Sequence, residues 1–173
     1  MSPTVRQRRL TSDFEMVRAL ASNSAGTIAI DRVSGNPPER YVITYRCRGV
    51  ERLDGSSRPV YRDVHTVQID LSAAYPGQKP MASMLTPIFH PHIWTNNVIC
   101  LGKRWTPAEY LDSLVLRIGA IIQFDPQYFD FGSPANSVAA TWARQNMRLF
   151  PVGKCNFKAS QQSTGTISWT TIK

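Results

Sequence analysis

Three runs between Thr27 and Leu71 alternate apolar and polar residues, and a short fourth run follows at Met81–Ile88, with clusters of turn formers between them. A period of two is the signature of strands with one buried face. The runs are Thr27–Val33, with Ile28 and Ile30 on one side, then Arg40–Arg48, Tyr61–Leu71 and Met81–Ile88. In the second run Tyr41, Ile43, Tyr45 and Cys47 face away from Val42, Thr44, Arg46 and Arg48, which places Cys47 in the sheet. Ser34-Gly35-Asn36-Pro37-Pro38, Asp54-Gly55 and the proline-rich stretch from Ala73 to Pro80 break the alternation where turns are needed. Four successive strands on short connections predict an antiparallel meander.

Helical periods flank this region. Leu10, Phe14, Val17 and Leu20 form one stripe of a helix predicted over Thr4–Ala21. Leu111, Leu114, Val115, Ile118, Ile121 and Ile122 give a broad apolar face to a helix over Pro107–Phe124, which must pack on the sheet. Thr106 stands as its N-cap, Pro107 in its first turn, and Glu109 near its positive end. A last helix is predicted over Pro134–Arg148, with Val138, Trp142 and Gln145 on one side. The fold class is therefore α+β: an N-terminal helix, a four-stranded antiparallel meander, a loop, a core helix and a C-terminal helix. At 173 residues the chain suits one domain, taken as residues 1–150, with 151–173 as an extension or tail. Ser, Thr, Gln and Lys dominate that tail, and Thr166-Ile167-Ser168-Trp169 alternates, so a β-extension and a tail ordered by a partner both remain open.

A 42% hydrophobic content is that of an ordinary globular protein. No apolar run reaches the ~18 residues of a membrane span, and the amino end lacks the apolar core of a secretion signal. The expected location is cytoplasmic. Cys47, Cys100 and Cys155 are odd in number and lack metal spacing, which argues against a disulfide framework. His90 and His92 flank a proline with no carboxylate beside them, so no metal is expected. A net charge of +8 suits an acidic partner, either nucleic acid or an acidic protein surface, but no nucleic-acid motif accompanies it.

The chemistry-bearing stretch is His90-Pro91-His92-Ile93-Trp94-Thr95-Asn96-Asn97-Val98-Ile99-Cys100-Leu101. Pro91 sets a rigid corner and pushes His90 into an extended conformation. Thr95, Asn96 and Asn97 are turn formers, and Asn tolerates left-handed backbone. The chain should fold back here and bring His92 beside Cys100. A cysteine between two aliphatic residues is commonly a small buried hydrophobe. A thiol beside a hydrogen-bond donor on a held loop is equally the makeup of a nucleophile.

This stretch resembles the active-site signature of the ubiquitin-conjugating enzymes: His-Pro-Asn, a short polar loop usually containing Gly, then Ile-Cys-Leu. His90, Pro91, Ile99, Cys100 and Leu101 match at the family spacing. Trp105-Thr106-Pro107 downstream, and Tyr75-Pro76 and Lys79-Pro80 upstream, resemble further family landmarks. The likeness runs with gaps from about Arg8 to Ala143. In two departures, His92 stands where the family has Asn, and Asn97 where it has Gly.

The resemblance implies an acyl transferase. Cys100 would accept a ubiquitin-like protein from an activating enzyme as a thioester and pass it to a lysine of a target protein. His92 is the first choice as oxyanion donor, with Asn96 or Asn97 behind it. Asp130 best fits the acidic residue that orients the incoming lysine, with Asp125 second. Arg6, Arg8 and Arg9 would dock the activating enzyme, although a solvated basic face explains them as well. No cofactor is implied, since ATP is used by the activating enzyme. The divergence of the motif suggests a prokaryotic relative in an antiviral conjugation operon. Two alternatives stand beside this: a non-catalytic binding module of the same fold, and a basic nucleic-acid-binding protein.

Overall fold

The structure, a computed structural model, describes residues 2–102, 105–128, 130–153 and 155–157. The alternating run at Thr166–Trp169, and Lys103 and Arg104 of the link after Cys100, lie outside these residues.

Helix α1 spans Val5–Asn23. Thr4 caps it reciprocally with Gln7: Gln7 N donates to Thr4 Oγ1 at 3.1 Å and Thr4 N donates to Gln7 Oε1 at 2.8 Å. Its buried stripe holds Leu10 and Val17, as the spacing requires, and also Asp13, which is fully buried. The strands are β1 Ile28–Gly35, β2 Pro38–Tyr45, β3 Gly49–Leu53, β4 Pro59–Arg62, β5 His65–Asp70 and β6 Met81–Met84. β1-β2-β5-β6 form a four-stranded antiparallel sheet, and β3-β4 a separate hairpin.

The four-stranded meander is present, but three of its expected strands are redrawn, the last of them, expected over Met81–Ile88, ending at Met84. The run expected over Arg40–Arg48 ends at Tyr45. Arg46 N bonds back to Thr27 O at 2.8 Å, and Cys47 is buried in the core beyond the strand end instead of on a strand face. The run expected over Tyr61–Leu71 splits at Asp63-Val64 into β4 and β5. β3 went unread because Glu51 and Arg52 interrupt it, leaving Val50 and Leu53 as its only large apolar residues. Gly49 makes the departure possible: a Cβ there would lie 2.7 Å from His65 Nε2 and 3.0 Å from Ile122 Cγ2.

Helix α2 spans Leu111–Ile122 and buries all six expected aliphatic residues against the sheet. It does not begin at Pro107. Thr106 O accepts from Glu109 N in a turn ahead of it, and Tyr110 occupies the N-cap without a side-chain bond. The acceptor comes from elsewhere: Asp13 Oδ1 takes Leu111 N at 3.1 Å. At the other end Phe124 takes φ +61°, while Phe124 N bonds Ile121 O and Asp125 N bonds Ala120 O. This is a Schellman closure with a phenylalanine where glycine is usual. The Phe124 ring is fully buried, with centroids 4.3 Å from His90 and 4.6 Å from Phe150.

Helix α3 is shorter than expected, Ser137–Gln145, because Asn136 caps it by accepting Ala139 N at 3.0 Å. Its buried face is Ala139, Ala140, Trp142 and Ala143; of the expected Val138, Trp142 and Gln145, Trp142 lies on it and the other two do not. Val138 is 69% exposed and Gln145 is exposed. Trp142 and Ala143 pack with Val50 and Phe124 in a second apolar cluster. Beyond Phe150 the chain turns back along α2: the Gln123 amide bonds both Cys155 N and Cys155 O, and Phe157 enters the main core.

Two fully buried histidines make this core acid-sensitive. Burial, opposed by a bond to Arg62 O, pulls His65 down to about 4; burial and the neighbouring His92 pull His90 down to about 3. Below pH 6.5 the unfolded chain binds protons that the folded chain refuses. This stability is therefore complete above pH 6.5 and falls as pH drops toward 4. Each histidine loses about 1.4 kcal/mol per pH unit in that window. A fall in Tm of about 10 °C between pH 7 and pH 5 is expected, measured by circular dichroism. A flat Tm over that range would mean that these rings are not held neutral.

Candidate active site

The stretch from His90 to Leu101 lies along the edge of β6. Ser83 pairs with Val98, Met84 N donates to Asn97 O at 2.9 Å, and Ile99 N donates to Ala82 O at 2.9 Å. The expected fold-back is a small hairpin in which Ile93 pairs with Ile99 and Trp94 N donates to Val98 O. Asn97 turns it with φ +69°, the conformation a glycine would supply. Cys100 N donates to His92 O at 2.7 Å, so the two residues are neighbours.

The flanks are fastened at several points. Pro91 O accepts from Ala135 N and Asn136 N at 2.8 and 2.9 Å, tying the corner to the start of α3. His90 Nδ1 accepts from His92 N at 3.0 Å. Beyond the cysteine, Lys79 Nζ donates to Gly102 O at 3.0 Å, and Trp105 Nε1 donates to Pro76 O at 2.7 Å. The Tyr-Pro and Lys-Pro landmarks upstream thus hold the exit of the loop.

Cys100 is half-buried and lines an open cleft of about 550 Å³ with His92, Gly102, Arg117, Tyr128 and Asp130. The other two thiols differ. Burial pushes Cys47 well above the ordinary thiol range. Burial also pushes Cys155 up, and its Sγ lies 3.4 Å from Arg46 O.

His92 is 7% exposed, and its Nε2 meets the backbone of Asp130 at both O (2.8 Å) and N (3.1 Å). One tautomer donates to the carbonyl and the other accepts from the amide. Either way the ring clasps the loop that follows α2. The Asp130 carboxylate accepts Gly132 N at 2.7 Å and Ser133 N at 3.2 Å, which shapes that loop. Cys100, His92 and Asp130 therefore meet in one cleft. Asn97 does not line it: its turn is exposed and its backbone serves β6. Asp125 accepts Gln127 N at 3.0 Å and lines a neighbouring groove.

The three N-terminal arginines are not equivalent. Arg8 is exposed and donates to Pro3 O at 2.7 Å. Arg6 pairs with Glu39 and bonds Ser72 O. Arg9 is spent inside the molecule: its side chain is 14% exposed, pairs with Asp13, bonds the carbonyls of Pro107 and Glu109, and lies over the Tyr110 ring. As a docking residue Arg9 is corrected, since a guanidinium so enclosed has little left for a partner.

Arg117 and Tyr128 are among the cleft residues to which the sequence assigned no site role. For Arg117 there was a signal: it is the one charge between Ser113 and Phe124.

The helix–meander–loop–helix order with a thiol at its cleft defines the fold class first. The chain is similar in fold to Ubc12 of Saccharomyces cerevisiae, with a TM-score of 0.64 and 19% identity over 87% of this chain and 77% of that one. It is likewise similar to the ubiquitin-conjugating enzyme UbcA1 of Agrocybe aegerita, with a TM-score of 0.51 and 18% identity over 69% and 83% of the two chains. The ubiquitin-conjugating enzyme family model matches residues 52–153, more than half of the chain, and the chain belongs to that family. Among relatives, ubiquitin-conjugating enzyme E2 1 of Caenorhabditis elegans is 26% identical over 151 residues, 85% of this chain and 70% of that protein. Ubiquitin-conjugating enzyme E2 2 of S. cerevisiae is 27% identical over 170 residues, 96% of this chain and 86% of that protein. The family is one of conjugating transferases, whose members work with an activating enzyme, a ubiquitin-like protein and a substrate. No helix among the described residues is long and apolar enough to cross a membrane.

Proposed function

We propose that this chain carries a ubiquitin-like protein as a thioester on Cys100 and transfers it to a lysine amine. One observation carries the reading: the Cys100 thiol faces an open cleft beside His92 and Asp130, whereas burial holds the Cys47 thiol protonated. The Cys100 thiolate attacks the thioester carbonyl held on the activating enzyme. A new C–S bond forms and the activating enzyme's thiolate leaves. A neutral lysine amine then attacks; the C–N bond forms, the C–S bond breaks, and the amine's proton ends on the departing Cys100 thiolate. Sulfur suits both steps because each exchange keeps the acyl group activated.

In this reading His92 is a positioning residue, holding the Asp130 loop against the thiol through its ring. Asp130 and the exposed Tyr128 then border the path of the incoming amine. Arg8, the most exposed of the three, is the docking candidate for the activating enzyme. A prokaryotic antiviral operon belongs to the same proposal; it rests on the divergent motif and is tested by the neighbouring genes.

The direct test incubates the protein with ATP, an activating enzyme and ubiquitin or another ubiquitin-like protein. An adduct on this chain that thiols cleave is expected on non-reducing gels. Failure across such donors, with the activating enzymes charged, would overturn the reading. His92→Ala is expected to slow discharge to lysine more than loading, because it releases the loop on the acceptor side. His92→Asn, whose amide can offer the same donor and acceptor, should recover part of the rate. Equal slowing of both steps in His92→Ala would reduce His92 to a fold element.

A further inference from the structure

Helix α2 is aliphatic along the residues it turns toward the sheet, yet Arg117 sits among them with its side chain 19% exposed. Arg117 and Ile121, one turn apart, line the cleft that holds Cys100 and Gly102. Glu109 Oε1 accepts from Arg117 Nη2 at 2.6 Å. Arg117 Nε is enclosed and has no acceptor among the described residues. A guanidinium carries five donors in a rigid fork, so this single bond leaves most of it unused. An enclosed donor without an acceptor costs about 1–3 kcal/mol, and such a residue calls for an explanation beyond stability.

We propose that Arg117 is a specificity-determining residue, receiving a side-chain carboxylate that the acceptor protein carries a few residues from its target lysine. The proposal rests on the thioester reading of Cys100. A planar fork takes a carboxylate through two parallel bonds, which orients as well as attracts. The donor protein's own terminal carboxyl is consumed in the thioester and offers no anion here. The acceptor must present its lysine over this same cleft. The net charge of +8 favours an acidic acceptor segment as well.

The test uses synthetic peptides that are identical except for one residue near a single lysine: Asp, Ser or Arg. Cys100 is charged enzymatically with ubiquitin or chemically with a short peptide thioester, and loss of the adduct is followed by intact mass. The Asp peptide is expected to react about tenfold faster than the Ser peptide, equivalent to about 1.4 kcal/mol. In Arg117→Ala that ratio should fall to one, whatever happens to the absolute rates. Arg117→Glu should prefer the Arg peptide, and Glu109→Gln, which removes the competing carboxylate, should raise the Asp preference. Equal rates in the native protein, or a preference that survives Arg117→Ala, would overturn the proposal. If Cys100 takes no acyl group at all, the thioester reading fails separately. Fluorescence anisotropy of the same peptides on the uncharged protein then decides the Arg117 site, with the same ratios expected in Kd.

Discussion

Replacing Cys100 with serine is expected to change the adduct from one that thiols cleave to one that survives them, and replacing it with alanine to remove the adduct altogether. The reason is the difference between the two acyl bonds: sulfur is the better leaving group, so a thioester yields to thiols and amines where an oxygen ester persists. The three cysteines of the chain make this a competition the structure already orders. Cys47 is 4% exposed and burial keeps its thiol protonated. Cys155 lines grooves away from the cleft. Cys155→Ala should therefore load like the native protein. Mass spectrometry of the adduct under non-reducing conditions checks the assignment, and an unchanged, thiol-sensitive adduct on Cys100→Ala would place the chemistry on another residue.

Asp13→Ala is expected to have the largest effect on stability, about 3–5 kcal/mol, the usual consequence of removing one partner of a buried charge pair. Asp13 is fully buried and accepts from three donors at once, which joins α1 to the Tyr75 stretch and to α2. Arg9 Nε donates to it at 2.7 Å, the Tyr75 hydroxyl at 2.6 Å and Leu111 N at 3.1 Å. Its loss leaves Arg9 Nε and Leu111 N, in the first turn of α2, without their acceptor. Through Arg9 it also loosens the turn at Pro107–Glu109, which leads out of the Cys100 loop. A fall in Tm of about 10 °C or more should follow for a chain of this size. Asp13→Asn keeps an acceptor and loses the charge, so it should cost about half as much. Glu39→Ala breaks only the exposed pair with Arg6, where Glu39 is 48% exposed, and should cost less than about 1 kcal/mol. Equal losses for Asp13→Ala and Glu39→Ala would refute the idea that Asp13 joins the three elements.

Residues that act on their immediate neighbours could be read directly. The Thr4–Gln7 cap, the stripe of α1, the six aliphatic residues of α2 and the left-handed turn at Asn97 each follow from spacing or from one residue's own dihedral preference. The proline corner and the fold-back that sets His92 beside Cys100 belong with them.

The partners of polar groups were not legible in this way. The His92 ring and the Asp130 backbone meet across 38 positions of chain, and Asp13 caps α2 across 98. That cap moved the helix start from Pro107 to Leu111, and the burial of Asp13 took Arg9 off the docking surface. Local sequence encodes period and dihedral preference. A charge, by contrast, has many possible partners of equal chemistry, and the choice among them is made by whichever one packing brings within bonding distance and shields from water.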